Sequence, residues 1–324
     1  MTKNKKIIIL GGDPNSINSE IIYKSWKSLN NNIRKKIFII ANHELLKKQF
    51  KKLNYSIKVK KIENLEKCDY QSEKNSLKVL DVYLKFKDPY KIKKKIASRY
   101  VKKCLDLGHK LALNNKIAGL INCAINKNLL KKNMGVTEYL SKKCKLKNNS
   151  EVMLIKSNNF SVSPITTHLD LRDVSKNIKS KIIVKKIKTI QEYYLKIFKF
   201  KPKIGVLGLN PHNAEFRKDS EELNEIIPAI KKLKKKSIKV DGPLVADTVF
   251  IKNFKKYDVI VGMYHDQVLS PFKSIFKFDA INITLGLKYL RVSPDHGVGV
   301  DLIRKNKANA TSLLKCIKFI NNLR

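Results

Sequence analysis

The chain has 324 residues, of which 43% are hydrophobic, and it carries a formal net charge of +42. This length and apolar content suffice for one large or two ordinary domains with a sizeable core, and they exclude a disordered chain. No apolar run approaches the roughly 18 residues of a transmembrane helix, so we expect no membrane partner.

The N-terminus and the cysteines both indicate a cytoplasmic protein. The N-terminal apolar run, residues 7–10, has four residues and leads into a Gly-Gly-Asp-Pro turn, whereas a signal peptide needs a longer run and a small-residue cleavage site. The cysteines are odd in number and form no Cys-x-x-Cys pair, which argues against disulfides and zinc-thiolate sites. We expect reduced, mostly buried thiols at Cys68, Cys104, Cys123, Cys144 and Cys316.

The charge alone does not indicate a specific nucleic-acid partner. Only 7 of the 69 basic residues are arginine, the residue used for bidentate recognition of phosphates and bases. The lysines are spread over the whole chain, and isoleucine and asparagine are abundant with them, as in a global compositional bias. We therefore expect attraction to polyanions at low salt, but no specific nucleic-acid binding.

Short apolar runs predict buried strands, and the longer amphipathic or basic segments between them predict helices. The predicted strands are 6–10, 36–41, 117–122, 152–156, 203–208, 258–263 and 280–285. The predicted helices are 19–30, 90–113, 183–199, 220–235 and 306–323. Alternation of the two predicts βαβ units and an α/β fold with mainly parallel sheets. The predicted strands are continuously apolar, which agrees with parallel sheets, because parallel strands are covered by helices on both faces.

Three histidines lie in dense polar motifs, and two of these motifs directly follow a predicted strand. The motifs are 163–174 with His168, 208–215 with His212, and 263–267 with His265. In α/β folds ligands gather beyond the carboxyl ends of the strands, where residues distant in sequence can meet. Three neutral imidazoles with open coordination positions suit a catalytic divalent metal. In the alternative interpretation, each histidine only forms hydrogen bonds within its own loop. The residues alone favour the two interpretations about equally.

Five motifs in the same order and spacing resemble those of the 4-hydroxythreonine-4-phosphate dehydrogenase family of vitamin B6 biosynthesis. They are TTHLDLRDV (166–174), GLNPHNAE (208–215), DGPLVADTVF (241–250), MYHDQ (263–267) and INITLGLKYLRVSPDHG (281–297). The resemblance implies two α/β/α domains like those of isocitrate and isopropylmalate dehydrogenases. The first domain would contain 1–128 plus 300–324, and the second 129–299. The resemblance also implies an active site in the cleft between these domains and at a homodimer interface.

The resemblance also assigns roles to individual residues. His168, His212 and His265 would bind the metal (Zn²⁺, Co²⁺ or Mg²⁺), with one of them reaching across from the partner subunit. Asp247 and Asp266 would lie near the metal as catalytic residues, with Asp266 orienting a ligand. Substrate contacts would come from Thr137, Lys273, Asn282 and Arg291, and contacts to NAD from Asp295 and His296.

The implied reaction oxidises the secondary alcohol of 4-phosphooxy-threonine with NAD⁺, and loss of CO₂ then gives 3-amino-2-oxopropyl phosphate. The sequence departs from the family pattern at three notable positions. Val136 replaces a histidine before Thr137, and Ser16 and Asn18 replace glycines in the N-terminal motif. Val136 favours a related substrate, such as threonate or erythronate phosphate. A basic nucleic-acid-binding protein on an inactive scaffold and a catalytically silent homodimer are the alternatives from other classes.

Overall fold

The computed structural model describes residues 5–65, 75–114, 117–130, 134–146 and 150–323. The chain divides into two compact units, 1–144 with 288–324 and 145–287. These boundaries differ from the expected 128/129 and 299/300. The difference arises because two elements expected in the second domain pack in the first unit. The helix Val136–Lys143 is held there by Tyr139, whose Oη donates to Asp106 Oδ1 at 2.7 Å. The strand Arg291–Pro294 pairs there with the strand Ile117–Asn122.

The first unit contains one parallel sheet in the order β3-β4-β2-β1-β5-β12. Its strands are β1 (Lys6–Leu10), β2 (Ile37–Ala41), β3 (Lys58–Ile62), β4 (Ser76–Asp81), β5 (Ile117–Asn122) and β12 (Arg291–Pro294). Its helices are α1 (Asn18–Lys27), α2 (Asn31–Arg34), α3 (His43–Lys52), α4 (Lys94–Leu113), α5 (Val136–Lys143) and α11 (Thr311–Asn322).

The sheet of the second unit has the order β11-β6-β7-β10-β8-β9. Strands β7, β10, β8 and β9 are parallel neighbours, and β6 pairs antiparallel with both β7 and β11. The strands are β6 (Val152–Ser157), β7 (Phe160–Pro164), β8 (Ile204–Leu207), β9 (Val240–Leu244), β10 (Val259–Gly262) and β11 (Ile281–Leu285). The helices are α6 (Leu171–Asn177), α7 (Ser180–Phe198), α8 (Ile227–Lys234), α9 (Ala246–Thr248) and α10 (His265–Phe276).

The central strands are buried along their whole length, as their apolar runs predict. Every residue of β1, β2, β8 and β10 is buried, because helices cover both faces of a parallel sheet. The α/β class with mainly parallel sheets is thus confirmed. Cys104, Cys123, Cys144 and Cys316 are free and buried as expected, and Cys68 lies outside the described residues. Within the described ranges, every helix is too short or too polar to cross a bilayer.

Candidate functional site

Four polar motifs of the second unit lie at one edge of its sheet. The parallel strands β7, β10, β8 and β9 are neighbours in that order, so their carboxyl ends share an edge. The segments that follow them carry His168, His265, His212 and Asp247, respectively. The fold therefore brings together residues that are up to 97 positions apart in sequence, at the edge where ligands of α/β proteins bind.

His168 and His265 form the closest pair at this edge. Their ring centroids are 6.0 Å apart, with an angle of 36° between the ring planes. His265 does not lie in a loop but is the first residue of α10. Its Nδ1 is 2.7 Å from Oδ1 of Asp266. A carboxylate at this distance holds the proton on Nδ1, which leaves Nε2 as the acceptor nitrogen that a metal or substrate proton requires.

Backbone contacts hold these two histidine segments against each other. Thr166 donates to the Met263 carbonyl twice, from its amide at 3.0 Å and from Oγ1 at 2.7 Å. On the other side of β10, Gln267 accepts from the Met263 amide at 2.7 Å and donates to the Gly208 carbonyl at 2.8 Å. The strand ends of β7, β10 and β8 are thus joined by hydrogen bonds, which fix the backbone near each histidine.

His212 is exposed and lies in an unusual turn. Residues 212–216 all have positive φ values, between 49° and 56°, although none of them is glycine. The loop before it is held by Glu222, whose fully buried carboxylate accepts from the amides of Leu209 at 2.7 Å and Asn210 at 2.8 Å. Among the described residues no three His, Cys, Asp or Glu side chains are grouped closely enough to hold a metal. The single chain therefore pairs His168 with His265 and leaves His212 apart from them.

The other expected residues of the second unit lie on three elements. Asp247 is exposed on α9, and Lys273 is exposed on α10. Asn282 is half-buried on β11, and its Oδ1 is buried without a hydrogen-bond partner among the described residues. A buried acceptor of this kind costs about 1–3 kcal/mol unless a donor satisfies it, so Asn282 is suited to a donor on a ligand.

The first unit presents a second strand-end edge, formed by β1, β5 and β12. The loop after β1 is tied to the loop after β5, because Asp13 N and Asn18 Nδ2 both donate to the Ala124 carbonyl, at 3.0 Å and 2.8 Å. The same loop is tied to the segment after β12, since Ile17 N donates to the Val298 carbonyl at 3.1 Å. Three distant segments therefore share one edge.

The replaced glycines of the N-terminal motif are accommodated without strain. Neither Ser16 nor Asn18 has a positive φ, and within residues 11–18 only Gly12 does, at 73°. A Cβ at Gly12 would lie 2.5 Å from Nδ2 of Asn18, so this position requires glycine. Burial raises the pKa of Asp13 despite backbone donors from Asn15 and Asn126.

Arg291 is a buried cation at the start of β12, with only 3% of its surface exposed. Its Nε donates to Oδ1 of Asn122 at 2.6 Å, and its Nη1 donates to Oγ1 of Thr137 at 3.2 Å. Burial lowers the pKa of the guanidinium to about 10, so it remains charged at neutral pH. Thr137 lies in the first turn of α5, where free helix N–H groups add to the positive potential. This arrangement is suited to binding an anion.

Asp295 and His296 lie in the segment directly after β12. The Asp295 amide donates to Oγ of Ser312 at 3.0 Å, which holds this segment to α11. His296 Nδ1 is 2.8 Å from the Gly297 carbonyl, and its Nε2 is buried without a hydrogen-bond partner among the described residues. Since Nδ1 must donate to the carbonyl, Nε2 is an acceptor for a donor outside the described contacts.

Sequence reasoning missed three residues that support these edges. Asn122 ends a predicted strand and holds Arg291, Gln267 ends the MYHDQ motif and joins two strand ends, and Glu222 holds the loop before His212. Only Gln267 is marked by the sequence, because it lies inside the MYHDQ motif at 263–267. Nothing in the sequence links Glu222 to its loop or Asn122 to Arg291.

Comparison with known proteins gives one consistent result over the whole chain. The family model described as "Pyridoxal phosphate biosynthetic protein PdxA" matches residues 33–320. The chain is 38% identical to the 4-hydroxythreonine-4-phosphate dehydrogenase of Aquifex aeolicus, covering 99% of this chain and 98% of that protein. It is 33% identical to the same enzyme of a Sulfurihydrogenibium species, covering 97% and 96%. The solved Klebsiella pneumoniae enzyme superimposes with a TM-score of 0.83 at 26% identity, covering 98% of both chains.

Proposed function

Because the chain belongs to the PdxA family of pyridoxal phosphate biosynthetic proteins, we propose that it oxidises 4-phosphooxy-threonine with NAD⁺ in that pathway. The relatives that it matches over their full length are named 4-hydroxythreonine-4-phosphate dehydrogenases. The product of the oxidation is a β-keto acid, and its decarboxylation to 3-amino-2-oxopropyl phosphate completes the proposed reaction. The observation that carries the proposal is the shared strand-end edge at which His168 and His265 lie 6.0 Å apart.

The histidine pair is suited to hold part of a divalent metal site. Two imidazoles at this separation, one with its proton held on Nδ1 by Asp266, provide acceptor nitrogens of the kind that Zn²⁺ or Co²⁺ prefers. The proposal includes a third ligand, His212, supplied across a homodimer interface. A bound divalent metal would act as a Lewis acid on the substrate oxygen and so stabilise negative charge during both oxidation and decarboxylation.

The chain's own residues would bind and orient the substrate. Arg291 keeps its charge at neutral pH, and its donors are fixed by Asn122 and Thr137, so it is suited to bind the substrate phosphate or carboxylate. Asn282 offers a buried acceptor to the substrate's amino or hydroxyl group. Lys273 adds a cation for the second anionic group of the substrate.

Asp295 and His296 would contact the nicotinamide cofactor. The unsatisfied Nε2 of His296 accepts a hydrogen bond, and a ribose hydroxyl is a donor of the right kind. Asp247 and Asp266 are exposed carboxylates near the histidine segments, available as proton acceptors or as supports for the metal ligands.

Val136 favours a second candidate substrate. It is the first residue of α5 and directly precedes Thr137, and its side chain can neither donate nor accept a hydrogen bond. A phosphorylated hydroxy acid such as threonate or erythronate phosphate carries an uncharged hydroxyl group where 4-phosphooxy-threonine carries its amino group. Loss of a contact to the substrate's amino group therefore does not weaken the binding of this alternative substrate.

A substrate comparison tests the proposal. Purified protein with divalent metal and NAD⁺ should reduce NAD⁺ in the presence of 4-phosphooxy-threonine and release CO₂ in equal amount. His265→Ala and His212→Ala should abolish turnover, whereas His43→Ala, a histidine outside the motifs, should retain it. Turnover only with threonate or erythronate phosphate would replace the first substrate with the second. Absence of turnover with every phosphorylated hydroxy acid in metal-loaded protein would contradict the proposed function. Sedimentation analysis should give a dimer.

A further inference from the structure

A groove of about 690 Å³ lies in the first unit, and its lining contains none of the residues assigned above to substrate, metal or cofactor. This volume falls within the range of about 300–1,000 Å³ that is typical of small-molecule sites. Four of the six lining residues are lysines, and the lining comes from two segments, α3 and the residues that follow β4. The lining residues are Lys48, Lys51, Lys52, Lys87, Asp88 and Pro89.

The geometry of α3 places three of the lysines side by side. Lys48, Lys51 and Lys52 are separated by three and four positions, so they share one helix face. Lys87 approaches from the facing segment. Among the described residues, none of these four ammonium groups forms an ion pair or a hydrogen bond with a carboxylate. The Nζ of Lys48 lies 5.2 Å from the centre of the Phe86 ring, which holds this ammonium without neutralising it.

The acidic residues nearby are already engaged with other groups. Oδ1 of Asp88 accepts from the Tyr90 amide at 2.7 Å. Glu44 on the same helix lies 3.6 Å from the ammonium of Lys47 and 2.9 Å from the imidazole of His43. The groove therefore keeps a local excess of positive charge, with four cations and one carboxylate in its lining.

The two walls of the groove are held together by buried contacts. Gln49, which is 3% exposed, donates from Nε2 to the carbonyls of Pro14 at 2.9 Å and Pro89 at 2.7 Å. Asn15 exchanges two hydrogen bonds with the backbone of Ile92, at 2.8 Å and 2.9 Å. The segment with Lys87 thus cannot move away from α3 without breaking these contacts. Mutual repulsion of the lysines is therefore not relieved by opening the groove.

We propose that this groove binds a linked-phosphate anion, the di- or triphosphate chain of inorganic polyphosphate or of a nucleotide. Lysine ammonium groups bind phosphate as point charges, without the planar geometry that arginine demands. Four ammonium groups on two opposed walls match several charges on adjacent phosphates better than a single phosphate. The bound anion would also relieve the repulsion among the lysines. The proposal is independent of the dehydrogenase activity, because none of the lining residues belongs to the proposed catalytic set.

Calorimetric titration with tripolyphosphate at physiological ionic strength tests this site. Wild-type protein should bind one equivalent per chain, and Lys48→Gln/Lys52→Gln should weaken binding by at least about tenfold. The matched control is Lys231→Gln/Lys235→Gln. It removes two exposed lysines, also four positions apart, at the C-terminal end of α8. The control should bind within about twofold of wild type. Circular dichroism and dehydrogenase turnover check that both variants are folded.

The two double variants separate a site from general electrostatic attraction. Equal weakening in both, or no saturable binding by wild type at this ionic strength, would overturn the proposal. ATP in place of tripolyphosphate distinguishes the sources. Equal affinity supports recognition of the phosphate chain alone, and tighter binding of ATP supports a nucleotide. Binding of a single-stranded RNA oligonucleotide, but not of tripolyphosphate, that is lost in Lys48→Gln/Lys52→Gln would replace the proposal with a nucleic-acid surface.

Discussion

Glu222 is a buried support of the loop that carries His212, and its removal should destabilise the second unit. One carboxylate oxygen accepts from the amides of Leu209 and Asn210, at 2.7 Å and 2.8 Å, and the other accepts from Asn210 Nδ2 at 3.0 Å. A hydrogen bond to a charged group contributes about 1.5–3 kcal/mol, and an unsatisfied buried donor costs about 1–3 kcal/mol.

The structure separates the effects of two substitutions at Glu222. Glu222→Gln can keep both backbone contacts through Oε1. Its side-chain NH2 group, however, then faces the NH2 group of Asn210, and this should lower the free energy of unfolding by about 2 kcal/mol. Glu222→Ala removes the charge-assisted hydrogen bonds to two half-buried amides, and the cost should be about 4 kcal/mol. Asn210 Nδ2 keeps a second acceptor, Oε2 of Glu221 at 2.8 Å, so it adds little to this sum.

Urea unfolding followed by circular dichroism measures these free energies. The single tryptophan, Trp26, lies in α1 of the first unit, so its fluorescence would not report on the second unit. Glu215→Gln is the matched control, since the side chain of this exposed residue forms no hydrogen bond to the loop within the described part of the chain. Unfolding free energies of Glu222→Ala and Glu215→Gln that agree within about 0.5 kcal/mol would refute the assigned support.

Three further changes test other features. Glu215→Gly should raise the free energy of unfolding, measured in urea, by about 0.5–1 kcal/mol. Glycine relieves a left-handed conformation that costs about 1–2 kcal/mol, and the greater conformational entropy of the unfolded glycine chain offsets part of this gain. A loss of stability would contradict this prediction. Burial lowers the pKa of Lys156 from 10.5 to about 8. Between these pH values the unfolded chain binds more protons, so stability rises with pH there. Lys156→Met should therefore stabilise by about 1–2 kcal/mol at pH 7 and much less above pH 10.5, and a pH-independent difference would be the contrary result. Asp266→Ala should weaken Zn²⁺ binding, measured by calorimetry, by about 10–100-fold, because the Asp266 carboxylate contacts His265. The free energy of unfolding should stay unchanged, because this carboxylate is exposed. Equal Zn²⁺ affinity would show that Asp266 does not orient a ligand.

The sequence determined the central strands because burial on both faces makes a parallel strand continuously apolar. Runs 6–10 and 117–122 have the same bounds in the structure, and five other runs agree within one residue at each end. The short or polar strands were missed. The edge strand β3, with the sequence KVKKI, exposes three lysines, and β12, with the sequence RVSP, has four residues. Neither has an apolar run long enough to predict a strand.

The sequence also placed two of the three histidine motifs, those of His212 and His265, directly after predicted strands, and from this it predicted a common edge. Which strands are neighbours was decided by the tertiary structure, because strand order depends on how helices pack between distant segments. Only the sheet order puts His168 beside His265 and sets the spacing of their rings.

The contacts that support the site depend on tertiary structure alone. Arg291 meets Asn122 across 169 residues, and Gln267 meets the Gly208 carbonyl across 59. No local pattern encodes such pairs, because a side-chain hydrogen bond depends on where two backbones come together in space and not on their spacing in the chain. The sequence thus predicted which residues would carry the chemistry, whereas the packing of the sheets determined which partners hold them in place.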